Sequence, residues 1–152
     1  VKTVDGEGEV VSIETLKESL RVKFQDGEDA FYKNDNLEFV EIPDSVVGIG
    51  AWAFAETNLQ EVTIPSSVVT IGAEAFCCCR DLKEVKLLDG VKEIGRAAFA
   101  ETAIEDIILP NSVIVVGDYA FSNCKNLEKV TVPATVERIG KVPFDIIFFN
   151  TC

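Results

Sequence analysis

Histidine is absent from this 152-residue chain, so neither a Ser-His-Asp triad nor a Cys-His nucleophile pair can be assembled. The remaining reactive groups are five cysteines. Cys77, Cys78 and Cys79 are consecutive, and adjacent cysteines bond to each other only under strain. The cysteine spacing fits no zinc pattern, and without histidine the mixed ligand sets are impossible. No metal and no other cofactor is therefore expected. Carboxylates gather at Glu105-Asp106 and at Asp26, Glu28 and Asp29, but nothing in the pattern places them in a cleft. There is no P-loop, and Gly6-Glu7-Gly8 lacks the strand-then-helix setting of a dinucleotide site. The chain offers no catalytic residues, which points away from an enzyme.

The elements that carry these residues follow a repeat. Five copies of L-x-x-V-x-I-P-x-S-V-x-x-I-G-x-x-A-F begin at Leu37, Leu59, Leu82, Ile104 and Leu127, spaced alternately by 22 and 23 residues. A fixed period of this length means a stacked solenoid. Within each copy, Val40-Ile42, Val62-Ile64, Val85-Leu87, Ile107-Leu109 and Val130-Val132 alternate at two-residue spacing, as a β-strand does. A second short apolar pair follows: Val46 and Ile49, Val68 and Ile71, Val91 and Ile94, Val113 and Val116, Val136 and Ile139. Each coil is thus predicted to hold two short strands and a corner. Pro43, Pro65, Pro110 and Pro133 mark the corner because proline has no N–H for a ladder, and Leu88 replaces it in the third copy.

Gly50, Gly72, Gly95, Gly117 and Gly140 mark a second corner, which calls for a positive φ or a close approach between coils. Phe54, Phe76, Phe99, Phe121 and Phe144 then form a column predicted to stack as a central spine. Three places after the first four rings stand Thr57, Cys79, Thr102 and Cys124, small residues with weakly hydrogen-bonding heads. That column makes Cys79 and Cys124 structural and leaves Cys77 and Cys78 in a turn. The pentapeptide Ala53–Thr57 recurs unchanged as Ala98–Thr102, 45 residues on, so the array reads as a duplicated pair of coils.

The phrases Val62-Thr63-Ile64-Pro65-Ser66-Ser67-Val68, Ile71-Gly72 with Ala75-Phe76 and Cys79, and Leu109-Pro110-Asn111-Ser112-Val113 with Ala120-Phe121-Ser122-Asn123-Cys124 resemble the BspA-type (Treponema pallidum) class of leucine-rich repeats. The resemblance covers about residues 37–144. It implies a mainly β leucine-rich-repeat solenoid of five 22–23-residue coils, used for recognition on secreted or cell-surface proteins. Lumenal location in an organelle is the alternative. The chain starts at valine and contains no methionine, so a signal or transit peptide removed upstream is one expectation.

The segment 1–36 is read as an N-terminal β cap or partial SH3-like unit. Gly8–Ile13 and Leu20–Phe24 read as strands, with a turn at Asp26-Gly27 and one helical turn capped by Thr15 and Glu18 between them. Its glycine and valine pattern is similar to small barrels of the Tudor kind, which would make Phe24, Phe31 and Tyr32 an aromatic cage for a cation. The favoured use is to cap the first coil and hide its apolar edges, with the cage as the alternative. Residues 145–152 form an apolar tail, in which Ile146, Ile147, Phe148 and Phe149 fold back over the last coil or dock on a partner.

A net charge of −12 argues against nucleic acid and against an anionic membrane as direct ligands. No apolar run approaches the ~20 residues of a membrane-spanning helix. The expected function is a non-catalytic protein–protein interaction module, with a structural subunit of a larger assembly as the alternative. Partner-binding residues are sought where outward positions break the polar rule. Repeat four does so at Ile108, Ile114, Val115 and Tyr119, and the sole tryptophan, Trp52, shares the Tyr119 column.

Overall fold

The computed structural model describes residues 10–16, 19–24 and 29–33 as strand backbone, and residues 37–144 in full. The N-terminal strands β1 (Val10–Leu16), β2 (Ser19–Phe24) and β3 (Asp29–Lys33) form an antiparallel sheet in that order. β1 lies beside the first solenoid strand. Thr15 does not cap a helical turn as expected: it continues β1 and pairs with Leu20. The β-branched and apolar residues around it favour the ladder over one isolated helical turn, which is costly to nucleate. Asp26-Gly27 and the tail from residue 145 lie outside the described residues, as do the side chains of Phe24, Phe31 and Tyr32.

From Leu37 the chain winds as the repeat predicts, mainly β and without a helix among the described residues. The second segment of each coil supplies β4 (Gly48–Ile49), β6 (Thr70–Ile71), β8 (Glu93–Ile94), β10 (Val115–Val116) and β12 (Arg138–Ile139). These join into one parallel sheet, with Ile49, Ile71, Ile94, Val116 and Ile139 in a single register line spanning four full turns. The first segment supplies β5 (Glu61–Ile64), β7 (Glu84–Leu87), β9 (Asp106–Ile108) and β11 (Lys129–Thr131). Here the ladder is interrupted: β5 pairs with β7 and β9 with β11, while the first coil contributes one bridge, Phe39 to Glu61.

The corners form as proline allows. The Val46, Val68, Val113 and Val136 amides each donate to the proline carbonyl three residues back, at 3.0–3.3 Å. In the third coil, Leu88 has the N–H that proline lacks and donates it to the Ile64 carbonyl at 3.0 Å. Gly90 is needed there because a Cβ would stand 2.0 Å from the Ser66 carbonyl oxygen.

The Gly72 column answers the question left by the sequence. A Cβ on Gly72, Gly95, Gly117 or Gly140 would meet backbone atoms of the preceding coil at 2.3–2.7 Å, so close approach is what demands glycine. The positive φ falls two residues later, on Trp52, Glu74, Ala97, Tyr119 and Val142. On this third side successive coils are tied by alternate amides, as in Trp52, Phe54 and Glu56 donating to the Ala73, Ala75 and Cys77 carbonyls.

The interior is filled by the predicted columns. Phe54, Phe76, Phe99, Phe121 and Phe144 stack with centroids 5.0–5.3 Å apart and planes within 16° of parallel. The first four rings are fully buried. Beside them, Thr57 donates to the Phe54 carbonyl at 2.9 Å, Cys79 donates to the same carbonyl at 2.9 Å, and the two side chains touch at 3.3 Å. Thr102 and Cys124 repeat the arrangement on Phe99, at 2.9 and 3.1 Å. Polar heads in a dry interior must find partners, and this column supplies them coil to coil. Burial pushes the Cys79 thiol up to about 11.

Candidate interaction surface

The strands give the solenoid distinct sides, and each outward position belongs to one of them. Strand alternation sends Val62, Ile64, Ile107 and Leu109 inward, and therefore Glu61, Thr63, Asp106 and Ile108 outward. The side built on β5, β7, β9 and β11 thus shows two outward columns: Phe39, Glu61, Glu84, Asp106 and Lys129, and Glu41, Thr63, Lys86, Ile108 and Thr131. All ten are exposed.

Two members of these columns break the polar rule. Ile108 is 63% exposed and Phe39 60% exposed. Ile108 was expected from the sequence. Phe39 was not: it fills the variable place before Val40 and becomes conspicuous only when the outward columns are stacked. Next to Phe39 an open groove of about 500 Å³ is bordered by Leu88, with Glu41, Asp44, Glu61 and Glu84 around it. Glu61 and Glu84 stand opposite each other in the ladder, where like charges repel. No side-chain ion pair joins them to Lys86, the cation bordering the same groove. With four carboxylates and one cation, the lining of the groove is net acidic beside the exposed Phe39.

The other expected residues lie elsewhere. Ile114 and Val115, half-buried, belong to the β4–β12 side, around the Pro110 corner from Ile108. Tyr119, 39% exposed, sits on the third side at positive φ, in the column of Trp52, which is 49% exposed. The structure thus distributes the apolar residues of repeat four over three sides. Ile146, Ile147, Phe148 and Phe149 lie outside the described residues. Exposure of interior columns rises in the fifth coil, where Val132 and Ile139 reach 39% and 52%.

No group of three or more metal-ligating side chains comes together among the described residues. No helix among them is long and apolar enough to cross a membrane.

Known proteins share this architecture. A family model described as the BspA type leucine rich repeat region, in six copies, matches residues 27–147. That match starts ten residues before Leu37, where Ala30-Phe31 precedes Leu37 by the same spacing as Ala75-Phe76 precedes Leu82. A leucine-rich repeat protein from Bacteroides ovatus is 31% identical, with a TM-score of 0.66 over 70% of this chain and 28% of its own. A leucine rich cell surface protein from Faecalibacterium prausnitzii is 27% identical, with a TM-score of 0.66 over 82% of this chain and 34% of its own. A leucine-rich repeat protein from Bacteroides capillosus is 29% identical, with a TM-score of 0.60 over 80% of this chain and 99% of its own. The chain therefore spans about a third or less of the first two. No curated protein matches the sequence.

Proposed function

The chain belongs to the BspA-type leucine-rich repeat family, and on that premise we propose that it is a non-catalytic protein-binding module. Its recognition surface is the outward face of the β5–β7 and β9–β11 side. The observation that carries this reading is the pair of exposed apolar residues, Phe39 and Ile108, on a side whose other outward positions are polar. Aromatic and aliphatic anchors surrounded by polar groups are how interfaces concentrate their energy. The carboxylates next to Phe39 favour a partner with basic and apolar side chains, and a net charge of −12 draws such a partner in.

Replacing Phe39 by Ala and Ile108 by Glu tests the assignment. Partner binding is expected to weaken by at least tenfold, about 1.4 kcal/mol, with the melting curve unchanged. Val115→Glu and Tyr119→Glu, on the other two sides, form the comparison. Binding lost in these and kept in the first pair moves the surface around the corner. A cell-surface location is the reading favoured by the Faecalibacterium relative, whose name places that protein there.

A second reading, a structural subunit of a larger assembly, rests on the exposed Val132, Ile139 and Val142 of the fifth coil. Sedimentation of native material decides it, because a free monomer removes this reading.

A further inference from the structure

The thiols of Cys77 and Cys78 stand 3.3 Å apart, and both residues are half-buried. The repeat does not require them. The equivalent places in the neighbouring coils are held by Ala55-Glu56, Ala100-Glu101 and Ser122-Asn123. Cys79, in contrast, fills the interior column and is engaged with Thr57 and the Phe54 carbonyl. The first two cysteines therefore form a pair outside the structural pattern.

The peptide between them is clamped. The Cys77 carbonyl accepts the Glu56 amide at 2.9 Å, and the Cys78 amide donates to the Ala100 carbonyl at 2.9 Å. A trans peptide sets neighbouring Cα atoms about 3.8 Å apart, whereas disulfides span about 4.4–6.8 Å. To form a disulfide, the sulfurs would have to close to about 2.05 Å and twist that clamped peptide. A direct S–S bond is thus disfavoured. An atom bridging the two sulfurs makes no such demand, because they stay near their present separation.

We propose that Cys77 and Cys78 are a vicinal dithiol site that chelates a thiophilic trivalent centre of the arsenic(III) class. With an organic arsenoxide the step balances without oxidation or reduction. Two As–S bonds form, the As–O double bond breaks, and both thiol protons leave with the oxygen as one water. A soft centre prefers sulfur to the surrounding carboxylates. Burial, with Cys78 alongside, pushes the Cys77 thiol up to about 12, so at neutral pH this thiol brings its own proton to the reaction.

Phenylarsine oxide added to the full, reduced chain tests the site by intact mass. One adduct per chain is expected, retained in excess monothiol and released by a competing dithiol. Cys77→Ser and Cys78→Ser are each expected to weaken retention by about 100-fold, two tenfold steps in affinity, with melting curves like that of the unsubstituted protein. Cys79→Thr and Cys152→Ser are expected to retain it. Absence of the adduct, its survival in both serine variants, or its loss in Cys152→Ser would overturn the assignment. So would ready formation of a Cys77–Cys78 disulfide under mild oxidation.

Discussion

The central residues of the solenoid are the stacked rings, and their positions give the largest single-residue effects. Phe99 lies between Phe76 and Phe121, with centroids 5.0 and 5.3 Å away. Phe99→Ala is expected to cost about 3–5 kcal/mol in chemical denaturation. A cost below about 1 kcal/mol would mean the stack is not a packed core. Glycine and its neighbour separate two backbone demands. Gly117→Ala drives a Cβ into the preceding coil, within 2.7 Å of Gly95 and Arg96 backbone atoms, and is expected to destabilise. Tyr119→Gly, at φ 59°, relieves a left-handed conformation worth about 1–2 kcal/mol and is expected to be neutral or stabilising. Equal losses at both positions would contradict the division of roles.

Cys79 links the interior to pH. Its folded-state thiol is raised from 9.0 to about 11, mainly by burial and partly offset by Thr57. Above pH 9 the unfolded chain has released this proton while the folded chain still holds it, so stability is lost as pH rises from about 9 to 11. The fall amounts to about 2–3 kcal/mol for this group. Cys79→Thr, which copies Thr57 and Thr102, is expected to flatten that alkaline decline in the denaturation midpoint. An identical decline in both proteins would show that the thiol is not the cause.

At the scale of elements, the two-strand coil was legible because apolar spacing switches at each proline and glycine. What the pattern could not rank was the pairing of the segments. The longer, cleanly alternating segment builds only the pairs β5–β7 and β9–β11, whereas the two-residue segment builds the continuous five-stranded sheet. Alternation reports which face is buried and says nothing of whether neighbouring coils keep their ladder bonds. Thr15 failed for a related reason: a local capping signal competed with strand pairing to Leu20, and pairing won. The interior thiols were legible by column alone. Phe39 was not: like Ile108 it fills a variable place of the repeat, but its column stands out only once the ladder stacks Phe39 on Glu61. Strand β3 holds Ala30-Phe31, whose spacing to Leu37 matches that of Phe76 to Leu82 and Phe121 to Leu127, so one short stretch carries both strand and repeat patterning.

Across the whole molecule, stability is distributed along one dimension, each coil resting on its neighbours. The Thr57–Cys79 and Thr102–Cys124 pairs make two coils the natural unit, in keeping with the 45-residue duplication. Excising residues 57–101 restores the sequence Ala-Phe-Ala-Glu-Thr at the junction and leaves three coils, about the minimum for a continuous core. The shortened chain is expected to fold cooperatively with a lower melting temperature. An unfolded product would contradict a modular stack.

Recognition, in this account, resides in departures from the repeat on one side of that stack. A photoreactive phenylalanine analogue placed at position 39, and separately at Trp52 on another side, tests this in native extract. Position 39 is expected to give a discrete, saturable protein adduct that excess unlabelled chain suppresses and high salt weakens. No adduct at position 39, or the same adduct from both positions, would contradict it.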